Sequence, residues 1–405
     1  MATSQTPAPQ HQESRLGAPL VAAAAVITAA GALYPFSGVV ALVVAVVGLV
    51  AIVATVRTRP ARTERVLGPY VLVIVLTLVA DTARFSIDYP ARLGSAVGWA
   101  TAPLDVRTWF VGLVVAPVTI MLFGGYLLGR RLPGAHIAAW WTALAGALDG
   151  LAFLAVAPTT DWSQPAVSVA AAAATLGQLT AATVLVQRLL QPSATTSAKV
   201  TSLPMDARRR NLWTLLFLVL VAVYAVSLQQ QAGLLPVGVI VGSMVGGMVG
   251  WRRTTSRAPA DPAFHVPLFL LLLALFYLHV GEEALTDFNR AIAEISGTPW
   301  ADTSFTTLIG LLGPAVWVFA AWSLWRRQAF GNFVLWFLIV GMILGEPTHL
   351  VVFPVMRMVQ EGVSYGYFSG MYTALFPMIP AILALRAILR THRTRTATRA
   401  KETPR

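Results

Sequence analysis

Cysteine is absent from the chain, which excludes disulfides, thiolate nucleophiles and cysteine-ligated metals together. Charge is scarce as well. Charged residues make up 11% of 405 positions against 57% hydrophobic ones, too little polar surface to coat a soluble globule of this length. No charged residue occurs between Leu16 and Val56. About 20 apolar residues suffice for one membrane crossing, so that stretch alone holds two, turning at Tyr34-Pro35-Phe36-Ser37-Gly38. Also missing are a Gly-x-Ser-x-Gly elbow, a nucleotide-binding loop and a haem-attachment motif. The polar first 14 residues and the long apolar run behind them argue against a secretory signal and for a short disordered tail.

Apolar runs between charged or Pro/Gly-rich breaks predict an all-α, polytopic bundle of about twelve spans. They lie near 16–34, 38–56, 67–88, 106–129, 137–157, 165–188, 211–228, 234–251, 266–286, 304–325, 331–354 and 364–388. The net charge of +12 does not mark a nucleic-acid binder, because the arginines sit in short loops and form no aromatic-interleaved face. They cluster after the even-numbered spans, at Arg57/Arg59/Arg62/Arg65, Arg130/Arg131, Arg188 to Arg210, Arg252/Arg253/Arg257, Arg326/Arg327 and the tail from Arg386. By the positive-inside rule both termini face the cytoplasm of a multi-pass inner-membrane protein.

The Ser193–Pro204 stretch divides two similar halves. Pro69, Asp81, Arg84 and Gly112 align at one offset with Pro267, His279, Glu282 and Gly310; Arg130-Arg131 aligns with Arg326-Arg327 further on. These landmarks predict two tandem parallel six-helix repeats, at 15–192 and 211–390, joined by a linker at 193–210 and followed by a basic tail at 391–405.

Ionisable groups inside a span cost at least ~2.5–3.5 kcal/mol each on insertion scales, so each needs a reason. The ninth span reads Leu278-His279-Val280-Gly281-Glu282-Glu283, with His279 one helical turn from both acids. The eleventh reads Gly345-Glu346-Pro347-Thr348-His349. Both clusters follow the cytoplasmic end of their helix by a comparable number of residues, so they meet at one depth. Either a divalent cation sits among His279, Glu282 or Glu283, Glu346 and His349, with zinc, iron or manganese compatible with such ligands, or the acids share protons in a metal-free acid/base site. In either case Glu282, Glu283 and Glu346 are the candidate catalytic carboxylates, and His279, Glu283, Glu346 and His349 the candidate metal ligands. The bland alternative is that these groups only pin two helices together. Pro347 is expected to kink its helix beside the site.

In the first half the counterparts are Asp81, Arg84 and Asp149. Asp81 and Arg84 are spaced for a self-neutralising ion pair, the mark of a scaffold; the counter-reading makes Arg84 and Asp149 part of a substrate or proton path. Tyr365, Tyr367 and Tyr372 either border the site as proton donors or pack structurally. Trp99, Trp109, Trp162, Trp300, Tyr89 and Tyr365 read as membrane-surface anchors. The glycines from Gly238 to Gly250 read as close helix packing.

The His279-Val280-Gly281-Glu282-Glu283 string, a His about 65 residues on at His349, and Tyr367-Phe368-Ser369-Gly370-Met371-Tyr372-Thr373-Ala374 together resemble the integral membrane domain family named for its HxxEE motif. Ser369 stands where that family usually has proline. The resemblance covers roughly 266–390. It implies that His279, Glu282, Glu283 and His349 act as a unit, and implies nothing about substrate.

Three functions fit these residues. One is a membrane-embedded enzyme isomerising, cyclising or oxidising a lipophilic small molecule, such as a prenyl or other membrane lipid. A second is a secondary transporter or ion permease, and the third an accessory subunit.

Overall fold

A computed structural model of the chain describes residues 38–57, 63–96, 106–157, 164–191 and 205–402. All regular structure among them is helical. The elements are α1 (Gly38–Arg57), α2 (Thr63–Phe85), α3 (Tyr89–Ala96), α4 (Val106–Trp109, Phe110–Val115 and Ala116–Arg130), α5 (Ala135–Val156), α6 (Pro165–Leu190) and α7 (Ala207–Ala232). They continue with α8 (Leu234–Arg253), α9 (Pro262–Leu285), α10 (Phe288–Ser296), α11 (Asp302–Phe305, Thr306–Leu312 and Gly313–Trp325), α12 (Ala329–Val340 and Gly341–Gly345), α13 (Val352–Glu361) and α14 (Met378–Glu402). Among the described residues nine helices are long and apolar enough to cross a membrane, a run through α12 and α13 counting as one. The expected span at 16–34 and most of the expected linker lie outside the described residues; α7 begins at Ala207, where the Asp206 carboxylate accepts from the Arg209 amide at 2.7 Å.

One expectation needs correcting. The stretch 364–388 is not one helix: residues 362–377 run as turns and extended chain, and α14 starts only at Met378. Gly362, Gly366 and Gly370 interrupt it, Gly362 and Gly370 with φ of 68° and 83°, backbone that apolar side chains rarely adopt. The basic tail, in turn, continues α14 as helix to Glu402.

The local geometry of the two halves matches at several points. Single residues of left-handed backbone end the corresponding helices: Asp88 and Asp287 at φ 58°, Arg131 and Arg327 at φ 56° and 59°. Both α4 and α11 open with one α-turn, widen into a π-helical stretch and resume as α-helix, with Pro117 or Pro314 near the restart. Across the halves α2 packs on α11 and α9 on α4. The Gly310 carbonyl accepts from the Tyr277 hydroxyl at 2.6 Å, and a Cβ on Gly310 would strike the Phe110 ring at 2.4 Å, so a glycine is what lets these helices touch.

Of the glycines in α8, Gly246, Gly247 and Gly250 press against α12, Gly247 so closely that a Cβ would meet the Phe337 backbone at 2.5 Å; Gly238 and Gly242 face open space. The expected aromatic anchors divide. Tyr365 is exposed, whereas Trp109, Trp300 and Tyr89 are buried in protein, Trp109 stacked on Phe85 and Tyr89 edge-on to Phe153. Composition cannot separate the two fates, because lipid and protein interior are equally apolar. Trp99 and Trp162 lie outside the described residues.

Candidate metal centre

The site stands on α9 and on the broken end of α12. Helix α9 is buried on most of its circumference, and its i, i+4 spacing sets His279 and Glu283 on one face. Helix α12 does not simply kink at Pro347: it widens into a π-turn over Gly341–Gly345 and tightens into a 3₁₀ turn over Glu346–His349. The two changes of pitch, with proline supplying no amide hydrogen, turn both Glu346 and His349 inward. All four expected ligands are buried: His279 is 1% exposed, Glu283 5%, Glu346 6% and His349 6%.

Their reactive atoms converge. His279 Nε2 lies 2.9 Å from Glu346 Oε2 and 3.6 Å from Glu283 Oε1, and His349 Nε2 lies 3.5 Å from the same Glu283 oxygen. One donor atom from each of His279, Glu283 and His349 falls within 4.8 Å of the others, a group that could hold a metal ion. The separations are compatible with an ion held between these groups. N–H···O bonds fall at about 2.7–3.2 Å, so the contacts at 3.5 and 3.6 Å are not hydrogen bonds. The contact at 2.9 Å has the distance but not the alignment: His279 Nε2 and Glu346 Oε2 are buried with no hydrogen-bond partner. Ligand atoms around one tetrahedral ion, with bonds of about 2.0–2.2 Å, stand roughly 3.3–3.6 Å apart.

The opposite nitrogens of both rings are occupied. His349 Nδ1 lies 2.8 Å from the Ser369 carbonyl oxygen, which only accepts, so this nitrogen carries the hydrogen. His279 Nδ1 lies 3.0 Å from Thr373 Oγ1, whose own hydrogen goes to Glu282 Oε2 at 2.5 Å; the hydroxyl is left to accept. With both Nδ1 atoms engaged elsewhere, both Nε2 atoms face the carboxylates, where a proton or a metal ion would bridge them.

Glu282 takes a different part from its neighbour. Its Oε1 accepts from the Tyr367 hydroxyl at 2.8 Å and the Tyr372 amide at 3.1 Å, and its Oε2 from the Thr373 amide at 2.8 Å as well as the Thr373 hydroxyl. It thus ties down the segment 362–377, over which Tyr367 and Tyr372 stack at 4.6 Å. That segment folds back over the imidazoles. Gly370 sits between them, where a Cβ would come within 2.7 Å of both rings. Thr286 and Ser369 share a hydroxyl hydrogen bond at 2.5 Å, and Tyr365 donates to the Leu350 carbonyl at 2.5 Å.

Ser369, Gly370 and Thr373 are site residues that sequence reasoning did not single out, although all three lie in the string quoted for the family resemblance. The available signal was density of glycine and hydroxyl residues in a stretch taken for a span. Phe288 stacks on His349 at 4.9 Å and Phe353 meets it edge-on at 5.2 Å, closing the remaining sides with apolar surface.

Beside the ligands lies a cavity of about 100 Å³. Glu283, Glu346 and His349 form its polar end, and its walls are mainly Phe276, Phe305, Ile309, Trp317, Phe337 and Met342.

Asp81, Arg84 and Asp149 come together elsewhere. Arg84 donates to Asp81 at 3.1 Å, Asp149 at 2.5 Å, Thr175 at 2.9 Å and Gln178 at 2.8 Å, and its guanidinium lies 4.9 Å from the Phe153 ring centre. Gln178 donates in turn to Asp149 at 2.8 Å and the Gly146 carbonyl at 2.9 Å. The guanidinium's demands are thereby met within the protein. No family model matches the chain, and no curated protein or solved structure matches it.

Proposed function

We propose that the chain is a membrane-embedded enzyme whose His279/Glu283/Glu346/His349 centre binds one divalent metal ion and acts on a lipophilic substrate. The observation that carries this reading is the convergence of two imidazole Nε2 atoms and two carboxylates at spacings too long or too poorly aligned for hydrogen bonds, at the polar end of an apolar cavity. Bound there, the ion would supply Lewis acidity to an oxygen or double bond of the substrate. The chain's own groups do the rest. Ser369 and Thr373 hold the rings, Glu282 holds the segment that carries them, and the aromatic walls keep water out.

The same reading places the protein in the inner membrane with about twelve spans and both termini cytoplasmic. The paired left-handed residues, paired π-turns and reciprocal packing of α2 on α11 and α9 on α4 support two tandem parallel repeats. Kinship with the HxxEE-motif family belongs to the proposal, because Tyr367 to Thr373, part of the quoted motif, lie against the His/Glu group. A secondary transporter is the second reading, favoured by the repeat layout and disfavoured by the closed polar network of the first half.

The test is metal analysis of protein purified from membranes, alongside a His279→Ala/His349→Ala variant. About one divalent ion per chain, lost in the variant, is the expected result. Metal-free native protein with a thermally destabilised variant would leave only helix pinning. Uptake into proteoliposomes then separates carrier from enzyme.

A further inference from the structure

Nearly all the residues that line the cavity beside the ligands are buried. Of the residues that line it, only Val239 and Ile240 on α8 and Thr348 beside the broken end of α12 are less than fully buried. They form a rim. What surrounds that rim is apolar: Leu344 is 68% exposed and Leu234 72%, while Val351 and Val352 are also exposed. Exposed aliphatic residues also run along the length of helices α7 and α8, among them Leu215, Val219 and Val245. In a membrane this outer surface meets acyl chains, so the rim opens sideways toward lipid and not toward water.

The interior is asymmetric in its chemistry. Glu283, Glu346 and His349 stand together at one part, and apart from Ser243 and Thr348 the other walls are mainly aromatic or aliphatic. Two buried lining residues carry polar atoms that no protein group satisfies, Glu346 Oε2 and the Trp300 indole nitrogen. Burying such atoms unpaired costs about 1–3 kcal/mol each, so a resident ligand with an oxygen is the economical explanation. A single water needs only about 10–15 Å³ and the cavity offers about 100 Å³, so the space takes several linked heavy atoms.

We infer that the cavity is the substrate-binding chamber, and that it admits from the bilayer, between α8 and the 345–348 turn, a single-chain apolar lipid whose one oxygen-bearing end reaches Glu346 and His349. This rests on the proposed function for the use of the ligands, but the chamber and its side opening stand on separate residues. Head-group-rich phospholipids do not fit the description, because the polar lining would satisfy one small oxygen function and no phosphate: no arginine or lysine lines the chamber. Binding energy would come from burying the chain against Phe276, Phe305, Trp317 and Phe337, with the oxygen fixing its direction.

The experiment uses full-length protein in phosphatidylcholine vesicles containing a diazirine-bearing long-chain alcohol, either hexadecanol-like or geranylgeraniol-like, followed by photolysis and peptide mapping. Both chains present the same end group, and their relative labelling shows which body fits. The expected result is labelling concentrated in 234–253 and 336–353 and reduced about tenfold by Val239→Trp or Ile240→Trp, which fill the rim from partly exposed positions. Leu215→Trp, on the lipid face of α7, should leave it unchanged. Labelling spread evenly over lipid-facing helices, or unaffected by both rim variants, overturns the chamber. Bound metal is read on the same samples. Diffuse or rim-insensitive labelling with metal retained defeats the chamber alone, and absence of metal with rim-dependent labelling defeats the proposed metal enzyme alone.

Discussion

Helices α2 and α9 each carry an internal proline and buried ionisable groups toward the C-terminal end, and they solve the problem of such a group in opposite ways. On α2, Arg84 is enclosed by two carboxylates, a threonine, a glutamine and an aromatic face, so every strong donor has a partner inside the protein. On α9, His279 and its neighbours leave two polar atoms unpartnered and a cavity alongside. The difference teaches how to separate a structural charge from a functional one. Both are buried and both sit among opposite charges; what distinguishes them is whether the hydrogen-bond inventory closes without a guest.

Three changes would sharpen or break that contrast. The largest expected effect is Arg84→Leu, which strands Asp81 and Asp149 and should cost about 3–5 kcal/mol, read as a lowered thermal midpoint in detergent and reduced yield from membranes. A near-silent Arg84→Leu would mean that the first-half network holds nothing together. Next comes Thr373→Val, which removes the acceptor that orients His279 Nδ1 without touching a ligand. Metal affinity should fall about 10–100-fold in competition with a chelator while the helical signal is unchanged. Unaltered affinity would detach the 362–377 segment from the metal centre. The smallest effect is expected of the combined Arg84→Met/Asp81→Leu/Asp149→Leu variant. Removing the whole network at once leaves no orphan charge, so stability should stay within about 1 kcal/mol of the parent and metal content should not change. Loss of bound metal in this variant would show that the first half serves the site after all.

Much of the helical layout was legible in the residues, because apolar length and basic punctuation are local properties. The stretch from Thr63 to Phe85 and that from Pro262 to Leu285 lie within a few residues of where hydropathy puts them. His279, Glu283, Glu346 and His349 were legible for a related reason: a charged group in an apolar run stands out at any fold. The segment 362–377 was not. Its Tyr, Phe and Met content resembles a span, and only its glycines and Ser369 hint at turns; its Tyr372 and Thr373 amides and Thr373 hydroxyl donate to Glu282, on a helix about 90 residues away in sequence, instead of to a helical ladder. Trp109 and Trp300 misled for the converse reason, since an aromatic near a helix end packs equally well on lipid or on a neighbouring ring.

By itself, then, the order of residues determined that the chain is helical, where most helices start and stop, and which few ionisable groups need an explanation. Each of these follows from the solvation of a residue and its near neighbours along one helix. Only the tertiary structure decided that Glu282 anchors a folded-back segment while Glu283 faces the imidazoles, that Gly370 fits between two rings, and that Arg84 is satisfied where His279 is not. Those outcomes depend on distances between helices far apart in the chain, where a few tenths of an ångström or a change of alignment decide whether a donor and an acceptor close a hydrogen bond.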